Sequence, residues 1–276
     1  MIEFCRGTWY DRQNEFPVSG RACAGPQQVR SVRALTDGKK KKKWLRVPAV
    51  ILLLTAVFLA YTGQYYHSTS EGLQALESDS VVVEKTDFGW RFDGPADDTA
   101  LIFYPGAKVE ASAYAPLLHR LAENGMDTFL VQMPFHLALF GANKAKGIQA
   151  RYDYENWYIG GHSLGGVMAV KYAAAHELQG IVLLAAYPTE AVEEPMLLVY
   201  GSDDGVLNRD RVGEAERYGS AETVVIEGGN HAGFGNYGKQ AGDQASAISA
   251  EEQQAETVAA ITAWLPDEPA VEEEMG

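Results

Sequence analysis

Near the middle of the chain a serine stands two residues from a glycine on either side, in Gly161-His162-Ser163-Leu164-Gly165. The apolar run Trp157–Ile159 leads into this segment, and Val167–Ala175, which reads as a helix, leads out of it. A strand that turns sharply into a helix holds the serine at its apex in a strained conformation, and the glycines leave room for the close approach. A hydroxyl presented in this way can attack a carbonyl carbon once a base takes its proton. His231, in Asn230-His231, is a candidate base, and Asp203 and Asp204, in Gly201-Ser202-Asp203-Asp204, are candidate acids. A buried carboxylate beside the imidazole would fix its tautomer and stabilise the imidazolium. A plainer reading is a glycine-rich turn carrying a surface serine. Three fixed Gly, Ser and Gly positions arise by chance about once in ten chains of this length, so the surrounding elements must decide.

Those elements alternate. Val81–Lys85 and Trp90–Phe92, around Asp87 and Gly89, read as a β-hairpin. Leu101–Tyr104, stopped by Pro105-Gly106, suits a buried strand ending in a tight turn. Tyr114, Leu117, Leu118 and Leu121 recur at helical spacing, closed by Asn124-Gly125. Further strands are expected at Thr128–Met133, Gly180–Ala185, Met196–Tyr200 and Glu222–Glu227, with helices around Arg209–Tyr218 and Glu251–Trp264. Apolar strands alternating with helices indicate a parallel sheet covered on both faces. Ligands of such sheets sit at the carboxyl ends of the strands. Ser163, the aspartate pair and His231 each fall just beyond such an end. Small residues after the serine (Gly165, Gly166, Ala169, Ala173, Ala174) would let that helix pack tightly on the sheet.

From Thr99 to Leu265 the chain resembles the α/β-hydrolase superfamily. It is most similar to the short forms without a large lid, the dienelactone hydrolase-like enzymes and small serine esterases. The residues that carry the resemblance are Tyr104-Pro105-Gly106-Ala107, Gly161–Gly166, Gly201–Asp204 and Gly229-Asn230-His231. The resemblance implies an α/β-hydrolase fold, a mostly parallel doubly wound sheet of eight strands or slightly fewer with helices on both faces. It implies the chain order nucleophile, acid, histidine, with Ser163 as nucleophile and His231 as base. It places the acid at the fourth position of a Gly-x-x-Asp turn, Asp204, leaving Asp203 to cap the turn or face water. The backbone N–H groups of Leu164 and Ala107 would form the oxyanion hole. Many relatives have His-Gly where this chain has Tyr104-Pro105, a departure at the oxyanion loop.

The implied reaction is carboxylesterase-like. Ser163 is acylated, the alcohol leaves, and a water activated by His231 releases the acid, with no cofactor and no metal. A thioesterase, lipase, peptidase or C–C hydrolase would use the same residues. A reading from another class is a non-catalytic, surface-displayed binding module on this scaffold, although such a module needs neither serine, acid nor histidine. Only ten residues separate Ala185 from Met196, where relatives with large lids insert them. An open site for a small-molecule ester with a small or medium acyl group is therefore expected.

Composition narrows the partners. The chain carries a net charge of −14, yet residues 1–46 hold 11 Lys/Arg against 4 Asp/Glu. The remainder is strongly acidic, which disfavours nucleic acid. Both cysteines, Cys5 and Cys23, lie near the N-terminus, so the main domain can hold no internal disulfide. The six histidines are scattered, with no Cys/His pair at metal-ligand spacing. Lys39–Lys43 precede the apolar run Val47–Tyr61, the order of an export signal or anchor. We therefore expect a transmembrane signal anchor over 44–66, with the lysines cytoplasmic and the catalytic domain outside the cell membrane. Secretion after signal cleavage is the alternative. The expected organisation is a basic, disordered segment over 1–43, the anchor, a stalk over 67–80, the hydrolase domain over 81–265 and an acidic tail over 266–276.

Other residues near these positions carry weaker expectations. His162 should point away from the nucleophile in a structural role, while His119 and His176 should lie on helix surfaces. His136, in the loop after the fourth strand, could touch substrate. Lys108 and Glu110 are expected to be solvated charges beside the oxyanion loop. Phe234, Asn236 and Tyr237 could either line the pocket or support the loop after His231.

Overall fold

The computed structural model describes residues 37–95 and 98–266. The chain divides into two compact units, Met1–Leu54 and Thr55–Gly276. In the first, the described residues form the N-terminal part of helix α1 (Asp37–Thr62), which contains Pro48. Most of the expected N-terminal segment and nearly all of the acidic tail lie outside the described residues. Along α1 the side chains of Val47, Val50, Ile51, Leu52, Leu53, Leu54, Val57, Leu59 and Tyr61 are exposed. Among the described residues no helix is long and apolar enough to cross a membrane. Within the 26-residue α1 the mostly apolar run Val47–Tyr61 is 15 residues and rises about 23 Å, so its flanks would have to complete a hydrocarbon core of about 30 Å.

The second unit is built on one eight-stranded sheet. Its strands are β1 (Val82–Lys85), β2 (Gly89–Asp93), β3 (Thr99–Tyr104), β4 (Asp127–Val131), β5 (Asn156–His162), β6 (Gly180–Leu184), β7 (Met196–Gly201) and β8 (Ala221–Ile226). The order is β1-β2-β4-β3-β5-β6-β7-β8. The β1–β2 and β2–β4 pairs are antiparallel, and every pair from β4 to β8 is parallel. The hairpin read from the sequence is β1–β2. β4, β6 and nearly all of β3 and β7 are buried along their length, as strands covered on both faces must be.

Alternation along the strands feeds two cores. Leu101, Phe103, Val182, Leu184, Leu197 and Val199 pack with α3 (Ala115–Glu123) and α7 (Ala250–Trp264) on one face. Ile102, Tyr104, Ile159, Ile181, Leu183 and Leu198 pack on the other with α4 (Lys144–Gln149) and α5 (Leu164–Ala173). Each fully buried aliphatic or aromatic side chain contributes about 1.5–3 kcal/mol. The sheet is therefore a firm platform for the loops at its carboxyl edge. Helix α7 starts with a capping box, in which Ser249 and Glu252 satisfy each other's backbone N–H groups.

One expectation is revised. The helix expected over Arg209–Tyr218 is a four-residue α6 (Arg209–Val212) followed by a 3-10 turn at Ala215–Arg217. Asn208 caps its start through two backbone N–H groups, and Gly213 ends it. The chain that follows α1 is tied to loops of the sheet unit. The Tyr66 N–H bonds the Lys108 carbonyl, the Glu110 N–H bonds the Tyr66 carbonyl, and the Thr69 N–H bonds the Asn236 carbonyl. A short helix α2 (Ser70–Gln74) follows, and Ala75 and Leu76 pack on the core.

Candidate active site

Ser163 sits between the end of β5 and the first residue of α5, with φ 52° and ψ −122°. That backbone region is costly for a residue with a side chain, by about 1–3 kcal/mol. It persists because its surroundings are fixed: the Ser163 N–H donates to the Leu184 carbonyl at 2.9 Å. The turn also depends on Gly165, where a Cβ would meet the Tyr104 carbonyl oxygen at 2.0 Å. Strand β3 and the elbow thus touch through bare backbone. Ser163 is half-buried and opens toward the carboxyl edge.

Asp204 follows β7 and His231 follows β8, and the two side chains meet. Asp204 Oδ2 lies 2.9 Å from His231 Nδ1, with both side chains almost fully buried. The other carboxylate oxygen accepts the N–H groups of Val206 at 2.8 Å and Leu207 at 2.7 Å. The carboxylate is therefore saturated, and His231 Nδ1 must carry a proton to complete it. Adjacent Asp203 is elsewhere. Its N–H bonds the Gly229 carbonyl, and its carboxylate is half-exposed beside Ser202. His231 Nε2 is buried and has no hydrogen-bond partner among the described residues, so the Ser163 hydroxyl is not hydrogen-bonded to it. Such bonds often tighten only when substrate is present.

Two N–H groups near the elbow have no hydrogen-bond partner among the described residues. Leu164 is the first residue of α5, where helical N–H groups lack intrahelical partners and the dipole favours negative charge. In the loop after β3, the Gly106 N–H bonds the Tyr114 hydroxyl at 3.1 Å and the Lys108 N–H bonds the His136 carbonyl. No hydrogen bond among the described residues uses the Ala107 N–H between them.

Ser163 at its strained turn follows β5, and the buried Asp204–His231 pair follows β7 and β8 at the same edge of the sheet. The family model described as "Alpha/beta hydrolase family" matches residues 100–255. The chain belongs to the alpha/beta hydrolase family. Among solved structures, the chain is similar to TT1662 from Thermus thermophilus, at 15% identity and a TM-score of 0.51 over 68% of this chain and 99% of that one. It is also similar to the esterase Rv0045c from Mycobacterium tuberculosis, at 13% identity and a TM-score of 0.50 over 70% and 96%. At those identities the likeness is one of fold. Among curated proteins, Phenyloxazoline synthase MbtB of Mycobacterium tuberculosis is 24% identical over 147 residues, 50% of this chain and 10% of that protein. The matched part of the chain thus spans about a tenth of the length of that relative.

The other residues singled out in the sequence lie around these loops. His162 is fully buried. Its Nδ1 lies 2.8 Å from the Tyr114 hydroxyl, and its Nε2 lies 3.0 Å from the His231 carbonyl. Burial, then the neighbouring His231, holds its pKa well below the usual histidine value. His119 is not a surface residue as expected but is buried, with Ser80 and Glu123 beside it. His176 is half-buried and stacked on Tyr172 at 3.9 Å. His136 stacks on Tyr65 at 3.8 Å, and burial lowers its pKa. Lys108 and Glu110 are engaged rather than simply solvated. The Lys108 ammonium lies over Tyr61 at 4.3 Å, and Glu110 accepts the Ser68 N–H at 3.0 Å. Phe234 and Tyr237 are buried, and the Asn236 side chain accepts from Gln254. All three support the loop after His231.

Three supporting residues were not anticipated. Asp243 accepts the Ala232 N–H at 2.9 Å and the Gly205 N–H at 3.0 Å, tying the histidine loop to the acid loop. Gln253, fully buried on α7, bonds both the N–H and the carbonyl of Asn230, at 3.0 and 2.8 Å. Tyr114 reads in sequence as one more apolar residue at helical spacing. For Gln253 and Gln254 a signal did exist, since two amides on the core-facing side of a helix need partners.

Proposed function

We propose that this chain is a serine hydrolase that cleaves a small or medium carboxylic ester through an acyl-serine intermediate. The observation that carries this reading is the buried Asp204–His231 contact at the carboxyl edge that also presents Ser163 on its strained turn. In the proposed cycle, His231 Nε2 takes the hydroxyl proton as Ser163 Oγ attacks the carbonyl carbon, and the oxyanion is met by the Leu164 and Ala107 N–H groups. His231 then returns the proton to the departing alkoxide. Water, deprotonated by the same nitrogen, releases the acid. Asp204 stays ionised throughout and stabilises the imidazolium. The short connection between β6 and β7 supports an open site. The direct test is reaction with a fluorophosphonate probe. The wild type should be labelled at Ser163, and Ser163→Ala should not be labelled. An unlabelled wild type would refute the reading.

We further propose that α1 holds the chain at the cell membrane, with the lysines cytoplasmic and the hydrolase domain outside. Support comes from the lysine run followed by exposed apolar side chains along α1. Tyr61, Tyr65 and Tyr66 at its outer end can sit at the interface. Protease added to intact cells should degrade the domain and spare a tag placed before Lys39. Protection of the domain in cells without an outer barrier would contradict the orientation.

A further inference from the structure

The oxyanion loop and the base belong to different strands, β3 and β8, yet one buried chain of hydrogen bonds joins them. The Gly106 N–H points at the Tyr114 hydroxyl at 3.1 Å. That hydroxyl lies 2.8 Å from His162 Nδ1. His162 Nε2 lies 3.0 Å from the His231 carbonyl oxygen. The two ends fix the direction of every bond. The Gly106 N–H can only donate, and the His231 carbonyl can only accept. His162 must therefore donate from Nε2. A neutral imidazole with its proton on Nε2 accepts at Nδ1, so Tyr114 must donate its hydroxyl there. One tautomer satisfies all four groups. The opposite tautomer would set two acceptors against each other at 3.0 Å. Burial keeps the imidazole neutral, since its charged form would be desolvated with no carboxylate beside it.

We propose that Tyr114 and His162 are positioning residues that lock the oxyanion loop at Gly106-Ala107 to the backbone of His231, and so set the distance between oxyanion donor and base. The proposal rests on the serine-hydrolase reading. Neither side chain touches the reacting atoms. Tyr114 comes from the turn before α3, and His162 immediately precedes the nucleophile, so the elbow itself carries the middle of the lock. Gly106 is part of the fit. A Cβ there would lie 2.7 Å from His162 Nδ1 and 2.8 Å from the Tyr114 hydroxyl.

The test compares wild type, Tyr114→Phe and His162→Gln in p-nitrophenyl butyrate hydrolysis and in the rate of fluorophosphonate labelling, each per folded molecule. Tyr114→Phe removes one oxygen and keeps the ring against Phe103. His162→Gln keeps a donor near Nε2 and removes the acceptor at Nδ1. Small misplacements of catalytic groups cost on the order of 100-fold, so kcat should fall about 10- to 100-fold in Tyr114→Phe with KM changed less than threefold. His162→Gln should fall less, because the bond to the His231 carbonyl survives. A lower Tm with kcat within twofold of wild type would make the network merely structural and overturn the proposal. A wild type that fails to react with the probe would instead strike the hydrolase reading. The wild type also reports without substitution. Its His162 ring should show a protonated Nε2 and an unprotonated Nδ1 by nitrogen NMR, and a protonated Nδ1 would overturn the lock.

Discussion

Replacing Asp204 by asparagine should convert the histidine rather than merely weaken it. The amide oxygen can keep the two N–H groups of Val206 and Leu207, at 2.8 and 2.7 Å. The amide nitrogen then occupies the place of Oδ2, 2.9 Å from His231 Nδ1, and it can only donate. Nδ1 must accept, so the imidazole proton moves to Nε2, the atom needed to receive the serine proton. A triad with its histidine in the wrong tautomer loses about 10⁴-fold in kcat, or about 5 kcal/mol of transition-state stabilisation. Stability falls far less. Two hydrogen bonds to a buried charge become bonds to a neutral amide, a loss of about 1 kcal/mol each, lowering Tm by about 4–8 °C in a domain of this size. Asp203→Asn touches only a half-exposed carboxylate and should leave kcat within about threefold of wild type, as surface substitutions usually do little. The assay is hydrolysis of a short p-nitrophenyl ester at saturation, with Tm measured on the same preparations. The reasoning fails if Asp204→Asn keeps more than a tenth of wild-type kcat, or if Asp203→Asn loses more.

Ser163→Ala should remove turnover by about 10⁶-fold while leaving Tm within about 2 °C, measured by ester hydrolysis and calorimetry. Ser163→Gly should be equally inactive yet about 1 kcal/mol more stable, because glycine accepts φ 52° without strain. A lower Tm than in Ser163→Ala would contradict the strain argument. Gln253→Leu should lower stability by about 2–4 kcal/mol, since it leaves the Asn230 N–H and carbonyl buried without their partner; urea unfolding reads this directly. Acid should destabilise the domain through His162, whose folded pKa lies well below its unfolded value near 6.5. Below pH 6.5 the unfolded chain binds a proton that the fold refuses, so stability falls as pH drops, by up to about 1.4 kcal/mol per pH unit. His162→Gln should flatten that part of the curve.

The parallel sheet was legible because its strands are buried on both faces and so read as unbroken apolar runs, as Leu101–Tyr104 and Gly180–Ala185 do. The glycines of the elbow were legible for a related reason, since bare backbone contact leaves no other residue possible. Helix α4 was not legible. Its six residues, KAKGIQ, bury only Ala145 and Ile148, too little for a periodic signal. The break inside Arg209–Tyr218 was missed because Gly213 does not by itself end a helix. From residue types alone the two aspartates are equivalent, and only backbone geometry decides which one meets His231. His119 was misjudged because a helix face shows its burial only once Ser80 and Phe92 are known to lie over it. The polar lock from Gly106 to His231 joins residues up to 125 positions apart, and no local pattern encodes such a chain.

Backbone strain shows where the molecule departs from what its sequence would prefer. Among the described residues, the non-glycine residues with positive φ are Lys108, Phe135, His136, Ser163 and Ala185. Lys108 follows β3, Phe135 and His136 follow β4, Ser163 follows β5, and Ala185 follows β6. Each lies at the carboxyl end of a parallel strand, and none lies at the opposite edge. Strain of about 1–3 kcal/mol per residue would be lost to relaxation in a free loop. Here four of the five are held by bonds to their neighbours: Lys108 N–H to the His136 carbonyl, Ser163 N–H to the Leu184 carbonyl, and Ala185 N–H to the Val199 carbonyl. These bonds pass from one strand end to the next across the same edge. The central strands supply the rigidity, and the edge concentrates its cost around the serine, the free N–H of Ala107 and the carboxylate–imidazole pair. A binding scaffold has no need to confine its strain to one edge in this way. The proposed function, which must keep its nucleophile, oxyanion donor and base at fixed separations, does.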